Sequence, residues 1–324
     1  MSAIRTAKVV FNGQDLVATY NEETQLWTAT ATAPADSSWS QPDHVYTASV
    51  YAEDAAGNSA TVDSTDETYG DQLKIRVLEK TKPEGRIRTP ADGSVLGANA
   101  QVVMIALQDN GGSGLNNASF VLKVNGTAVP LKEGDKAGYS ITAGEGDDAG
   151  KTMVSYTARN LPDGANKVEF EFADNDGNKA DKLVSNFTIS TAAPTLDVTS
   201  PANNLLTNSN KLTVAGTAAT TTAGVTVASL TIKVGDADPI TATVGEGGAF
   251  SQEVTLPAEG DTNIVITATD SLGKNTQVTR KVTLDTTKPV ITDITASATT
   301  VDAGGQIVFT FKVTDADPNA APSA

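Results

Sequence analysis

Short runs in which apolar and polar residues alternate fill most of the chain. Val121-Leu122-Lys123-Val124 and Leu230-Thr231-Ile232-Lys233-Val234 place their apolar side chains at a two-residue period, as a strand with one buried face does. Between such runs stand Asn12-Gly13, Asn125-Gly126 and Gly235-Asp236. These pairs favour two-residue hairpins, whose central positions need positive φ. An aromatic residue follows each pair by 14 or 15 positions (Trp27, Tyr139, Phe250), and then a strand-like run ends in Asp54, Asp174 or Asp270 before another turn. No stretch reads as a helix, and the expected fold is all-β.

The same order of features recurs, so boundaries can be placed. Lys82-Pro83, Ala193-Pro194 and Lys288-Pro289 each separate two strand-like runs, where a proline that cannot donate to a ladder suits a linker. Seven residues beyond the first two prolines come Pro90-Ala91-Asp92-Gly93 and Pro201-Ala202-Asn203-Asn204; the third copy has Ala296 at that place. A sandwich of the immunoglobulin type takes roughly 100 residues. The expected units are therefore residues 1–81, 82–191 and 192–286, with a partial unit at 287–324.

The boundary Asp285-Thr286-Thr287-Lys288-Pro289-Val290 and hairpins of the form Ala-x-Asp-x-x-Gly-Asn, such as Ala52 to Asn58, resemble the bacterial immunoglobulin-like (Big-type) domains. These are strung along surface proteins of Gram-positive bacteria and occur in phage tail proteins. The resemblance implies tandem immunoglobulin-like β-sandwiches in an extracellular, cell-surface or virion setting. It names no ligand, because a fold does not by itself imply a function.

Counting from the linkers sets the two ends apart from the middle. Asn125 lies 42 residues after Pro83 and Gly235 lies 41 after Pro194, but only 11 residues precede Asn12. The first unit is thus expected to lack its first strands. Phe309-Thr310-Phe311-Lys312-Val313-Thr314-Asp315 matches Val103-Met104-Ile105-Ala106-Leu107-Gln108-Asp109, each Asp lying 26 residues after its linker proline. The last segment therefore carries two opening strands. An isolated strand pair is marginal in water and offers open edges. The expectation is head-to-tail strand complementation, with Ile307, Phe309, Phe311 and Val313 of one copy completing the unit that contains Val9 and Phe11 of the next. A contact of that kind propagates into a filament or closes into a ring.

Composition narrows the chemistry. Asp and Glu number 39 against 23 Lys and Arg, a formal charge of −16, which argues against nucleic acid as a partner. There is no cysteine, so disulfides and thiolate chemistry are excluded. No run approaches the roughly 18 apolar residues of a membrane span, and Met1-Ser2-Ala3-Ile4-Arg5-Thr6 does not resemble a signal peptide. The chain is then expected to be a piece of a secreted protein or one released by lysis, as virion parts are.

The one histidine, His44, stands near Asp43, Ser37, Ser38 and Ser40, but adjacent strand positions face opposite sides and a structural or solvent-facing histidine is expected. No catalytic motif occurs, and no enzyme is expected. Calcium is the one cofactor left open, at Asp109, Asp174 and Asp176. Asp174-Asn175-Asp176-Gly177-Asn178 fails the calcium-loop pattern, and Glu145-Gly146-Asp147-Asp148 is a further source of oxygens. Trp27 is expected in the core beside its counterparts Tyr139 and Phe250, and Trp39, in a serine-rich loop, is the candidate ligand contact.

Three functions fit. One is a structural fibre subunit whose partner is itself. Another is an adhesive or receptor-binding module contacting a cell-surface glycan or protein. The third is an accessory region of a secreted enzyme.

Overall fold

The computed structural model describes residues 4–317, so the end of the partial fourth unit, residues 318–324, lies outside the described ones. Among the described residues there are strands and short 3₁₀ turns, with no α-helix. The chain forms two compact units, one of residues up to 94 with 98–189, the other of residues from 190 onward with 95–97.

In the first unit the opening strands are β1 (Ile4–Phe11), β2 (Gln14–Val17), β3 (Thr19–Asn21), β4 (Leu26–Thr28), β5 (Tyr46–Asp54), β6 (Ser59–Val62) and β7 (Lys74–Ile75). They make a sheet of order β2-β1-β5-β6, with β7 also on β5, and a separate β3-β4 hairpin. Asn12 and Gly13 take φ of 48° and 72°, so Phe11 pairs with Gln14 and Val9 with Leu16 as the turn chemistry requires. The core here is small: Phe11, Tyr46, Ala48 and Val77 are its buried members.

Next come β8 (Glu84–Thr89), β9 (Val95–Leu96), β10 (Gln101–Gln108), β11 (Val121–Val124), β12 (Thr127–Val129), β13 (Ser140–Ala143), β14 (Thr152–Ala158), β15 (Gly164–Glu171) and β16 (Leu183–Ile189). The order β13-β14-β10-β8 forms one layer and β12-β11-β15-β16 the other. Val103, Ile105 and Leu107 from β10 and Leu122, Val168 and Phe170 from β11 and β15 are all fully buried, which is the alternation of two inward faces.

The second unit repeats the plan with β17 (Thr195–Ser200), β18 (Leu205–Thr207), β19 (Lys211–Ala219), β20 (Val227–Val234), β21 (Ile240–Ala242), β22 (Ala249–Thr255), β23 (Gly260–Asp270) and β24 (Asn275–Leu284). Its layers are β17-β19-β22 and β18-β24-β23-β20-β21, around Val214, Leu230, Ile232, Ile264, Ile266 and Val282. The final strands β25 (Val290–Ala296) and β26 (Phe309–Thr314) pair only with each other, and every residue of both is exposed.

The expectation for Trp27 is corrected. Tyr139 and Phe250 are each 4% exposed, but Trp27 is 42% exposed and packs against Tyr20, 5.2 Å between ring centroids. The cause is that no second sheet covers it among the described residues. In the second repeat β8 and β10, and in the third β17 and β19, build the sheet opposite the hairpin-bearing one; nothing in residues 4–81 stands in that place. Val50 shows the same effect at 40% exposure, while Ile266, at the equivalent point of β23, is fully buried.

Candidate metal centre

Asp174 follows β15 in the turn that leads toward β16. Its Oδ1 accepts from the Asn178 backbone N–H at 2.8 Å and its Oδ2 from Asn178 Nδ2 at 2.8 Å. Asp54 binds Asn58 in the same two ways, and Asp270 Oδ1 accepts from the N–H groups of Leu272 and Lys274. The Asp that ends each repeat's run is therefore a hairpin staple in all three, an Asx-type local bond that competes well with a longer ladder. Asp174 differs in what surrounds it.

Asp109, just beyond β10, turns the chain by accepting from the N–H groups of Gly111, Gly112 and Gly114. A Cβ on Gly111 would press on the Glu79 carboxyl group, so a larger residue there would displace that side chain. Glu79 arrives from the segment before Lys82-Pro83 and is 9% exposed. Its Oε1 accepts from Asn178 Nδ2 at 2.9 Å, and its Oε2 from the Thr81 N–H. One carboxylate oxygen from each of Glu79, Asp109 and Asp174 lies within 4.8 Å of the others. Beside them Asp176 Oδ2 accepts from Ser37 Oγ at 2.7 Å and from the Glu79 N–H at 3.0 Å, tying the first repeat to the second. Asp176 Oδ1 is sealed from solvent without a hydrogen-bond partner.

No ion pair among the described residues reaches any of these four carboxylates. Uncompensated negative charge out of water is costly, and a proton or a cation relieves it. Burial pushes the Glu79 carboxyl above its ordinary value against the pull of the Thr81 N–H, and the adjacent Asp174 carboxylate adds to the rise. Hard oxygen donors of this kind suit calcium, which takes six to eight oxygens.

The raised Glu79 gives a pH signature with a definite sign. A carboxyl whose folded value lies above its unfolded value stabilises the fold below the unfolded value, and that contribution is lost as pH rises through the folded one. In chelator, acidification from neutrality toward the ordinary glutamate value of 4.5 is expected to help wild type relative to Glu79→Gln. Parallel thermal melts of the two proteins across that range check it, and identical pH slopes would refute it.

Of the residues that the sequence put forward, Asp109 and Asp174 do converge, and Asp176 lies alongside as a strut between repeats. Glu79 was missed. The available signal was its place four residues before the linker proline, where the third repeat has Ser190 and the partial unit Asp285. Asp148 is elsewhere, paired with Arg88 and Lys151. Trp39 is half-buried and stacks on His44 at 4.0 Å and 9°. His44 lies in a 3₁₀ turn ahead of β5, with Nδ1 2.5 Å from the Trp39 carbonyl. Ser37 Oγ goes instead to Asp176, and Ser38 Oγ donates to the His44 carbonyl. Phe309, Phe311 and Val313 are 62%, 58% and 55% exposed and Ile307 is 40% exposed, while Val9 is half-buried and Phe11 buried.

Residues 194–286 match the family model described as glucodextranase, domain B. No curated protein matches the chain. Among solved structures, the fibronectin(III)-like modules of Clostridium thermocellum CbhA share 16% identity over 62% of this chain and 94% of theirs, TM-score 0.34. A tetra-tandem repeat from the extending region of a large adhesion protein shares 16% identity over 97% of this chain and 81% of that one, TM-score 0.30. Protocadherin gamma B7 extracellular cadherin domains 1-4 share 12% over 98% and 76%, TM-score 0.36. By its own strands and sheets the chain is an all-β protein of tandem immunoglobulin-like domains.

Proposed function

We propose that this chain is a non-enzymatic structural subunit of an extracellular or virion fibre, self-associating head to tail as the β25-β26 strands of one copy complete the first repeat of the next. The observation that carries this reading is the state of one strand face in two places. Val103, Ile105 and Leu107 on β10 are fully buried, and the residues at the same distances from their linker proline, Phe309, Phe311 and Val313 on β26, are each more than half exposed. Burying large apolar side chains of this kind contributes about 1.5–3 kcal/mol apiece, enough in sum to oppose the cost of association. The face exposed around Trp27 and Val50 needs a cover of the same chemistry.

The carboxylate cluster belongs to the same reading. A calcium ion held by Glu79, Asp109 and Asp174 would cross-link the linker to two turns of the second repeat, and Asp176 would carry that stiffness to Ser37 of the first. A spacer that transmits tension gains from such a joint.

The test is light scattering of the full chain against a version lacking residues 287–324. Concentration-dependent oligomers of the former and monomers of the latter are expected, and a full chain that stays monomeric when concentrated sinks the fibre reading. A second reading would then take its place. The match of the third repeat to a glucodextranase domain favours an accessory region of a secreted enzyme, and an adhesive module for glycan or protein is the other alternative. The bacterial immunoglobulin-like resemblance, with its Gram-positive surface or phage tail setting, accommodates either.

A further inference from the structure

The head-to-tail contact can be specified to the residue, on the premise that the self-association proposed above occurs. In the third repeat the layer β17-β19-β22 has β19 in the middle. The β25-β26 pair occupies the places of β17 and β19, so β26 has a free edge where β22 would lie. The first repeat has the converse gap. Its counterpart of Phe250 on β22 is Trp27 on β4, and β4 hydrogen-bonds only β3, leaving its other edge open. The alternating segment Trp27-Thr28-Ala29-Thr30-Ala31-Thr32-Ala33 goes on past β4, yet strand structure stops at Thr28. A strand without a neighbour has no ladder to hold it.

We infer that β26 of one copy adds antiparallel to the open edge of β4 in a second copy, with Phe311 opposite Trp27, Thr310 opposite Thr28 and Phe309 opposite Ala29. The register transfers from the third repeat, where Gly216 pairs with Phe250, Ala215 with Ser251 and Val214 with Gln252. Phe309 and Phe311 lie 20 and 22 residues after Pro289, as Val214 and Gly216 lie after Pro194.

Apolar character on one face supports this pairing independently of the count. In the third repeat Val214 faces Gln252 and Gly216 faces Phe250 across the β19-β22 ladder. In the transferred register Phe309 faces Ala29 and Phe311 faces Trp27, which joins apolar and aromatic side chains on the inward side. The outward face would carry Thr310 opposite Thr28 and Lys312 opposite Leu26. Both open edges would then be paired, removing the aggregation hazard of each.

The chain has no cysteine, so introduced thiols report alone. Thr28→Cys and Thr310→Cys, both exposed, are made in separate chains, mixed and mildly oxidised. A disulfide demands Cα atoms within about 7 Å, which makes the readout strict. The expected result is a covalent dimer of the two variants, with at least about tenfold less product when Thr28→Cys is replaced by Thr24→Cys in the hairpin turn. Preferential linkage to Thr30→Cys, or oligomers by light scattering with no preferred linkage, would overturn the register and leave self-association standing. Linkage confined to a double variant within one chain would overturn the second-copy assignment. Monomers throughout would overturn both this inference and the function it rests on.

Discussion

Calcium at about a hundred times its dissociation constant is expected to raise the melting temperature of the first unit by roughly 5–10 °C. A ligand that binds only the folded state at that excess contributes about 2.7 kcal/mol. Each kcal/mol moves the midpoint of a unit this size by roughly 2–4 °C. Calorimetry in chelator and in calcium reads the shift directly. The cleanest loss of the effect should come from Glu79→Gln, because glutamine mimics the protonated carboxyl that burial already favours there. Asp109→Asn also removes a ligand but disturbs the three glycine N–H bonds as well, and Asp174→Asn breaks the staple to Asn178. Asp270→Asn is the control. Its repeat partners at the other two positions are Ser190 and Thr220 rather than acids. Equal melting temperatures with and without calcium would dismiss the cation while leaving the joint itself intact.

The second large effect separates two residues that occupy the same place in the repeat. Ile105 is fully buried, so Ile105→Ala should cost about 2–5 kcal/mol and lower the melting temperature of the first unit by roughly 5–15 °C. Phe311, 22 residues after its proline as Ile105 is after Pro83, is 58% exposed. Phe311→Ala should leave melting of the dilute monomer within about 0.5 kcal/mol of wild type. Its effect should appear in association, where losing a buried Phe worth about 1.5–3 kcal/mol weakens self-binding roughly ten- to hundredfold. Sedimentation equilibrium measures the second quantity and calorimetry the first. If the dilute monomer of Phe311→Ala melts as early as Ile105→Ala, the β26 face is already packed within one chain and the fibre reading fails.

The two carboxylates that matter most at the joint were legible because the repeat frame marks them, Asp109 by its distance from Pro83 and Asp174 by the turn it ends. Glu79 was not, because 30 and 95 residues separate it from its neighbours in the cluster and it lies in a linker that carries no periodic signal. Trp27 was misplaced for the opposite reason. Its position in the repeat is that of a core aromatic, and the sequence pattern around it is correct for burial. Burial, however, is a property of two layers, and among the described residues no second sheet covers Trp27.

Alternation of side chains, paired turn residues and the spacing of linker prolines act within a few positions of the chain, so the sequence alone settled the strands, hairpins and tandem plan. Which carboxylates share a desolvated space, and which apolar faces find a cover, depend on contacts between segments far apart along the chain. Electrostatic cost and hydrophobic gain are set by that proximity and by exclusion of water, and only the tertiary structure decided them.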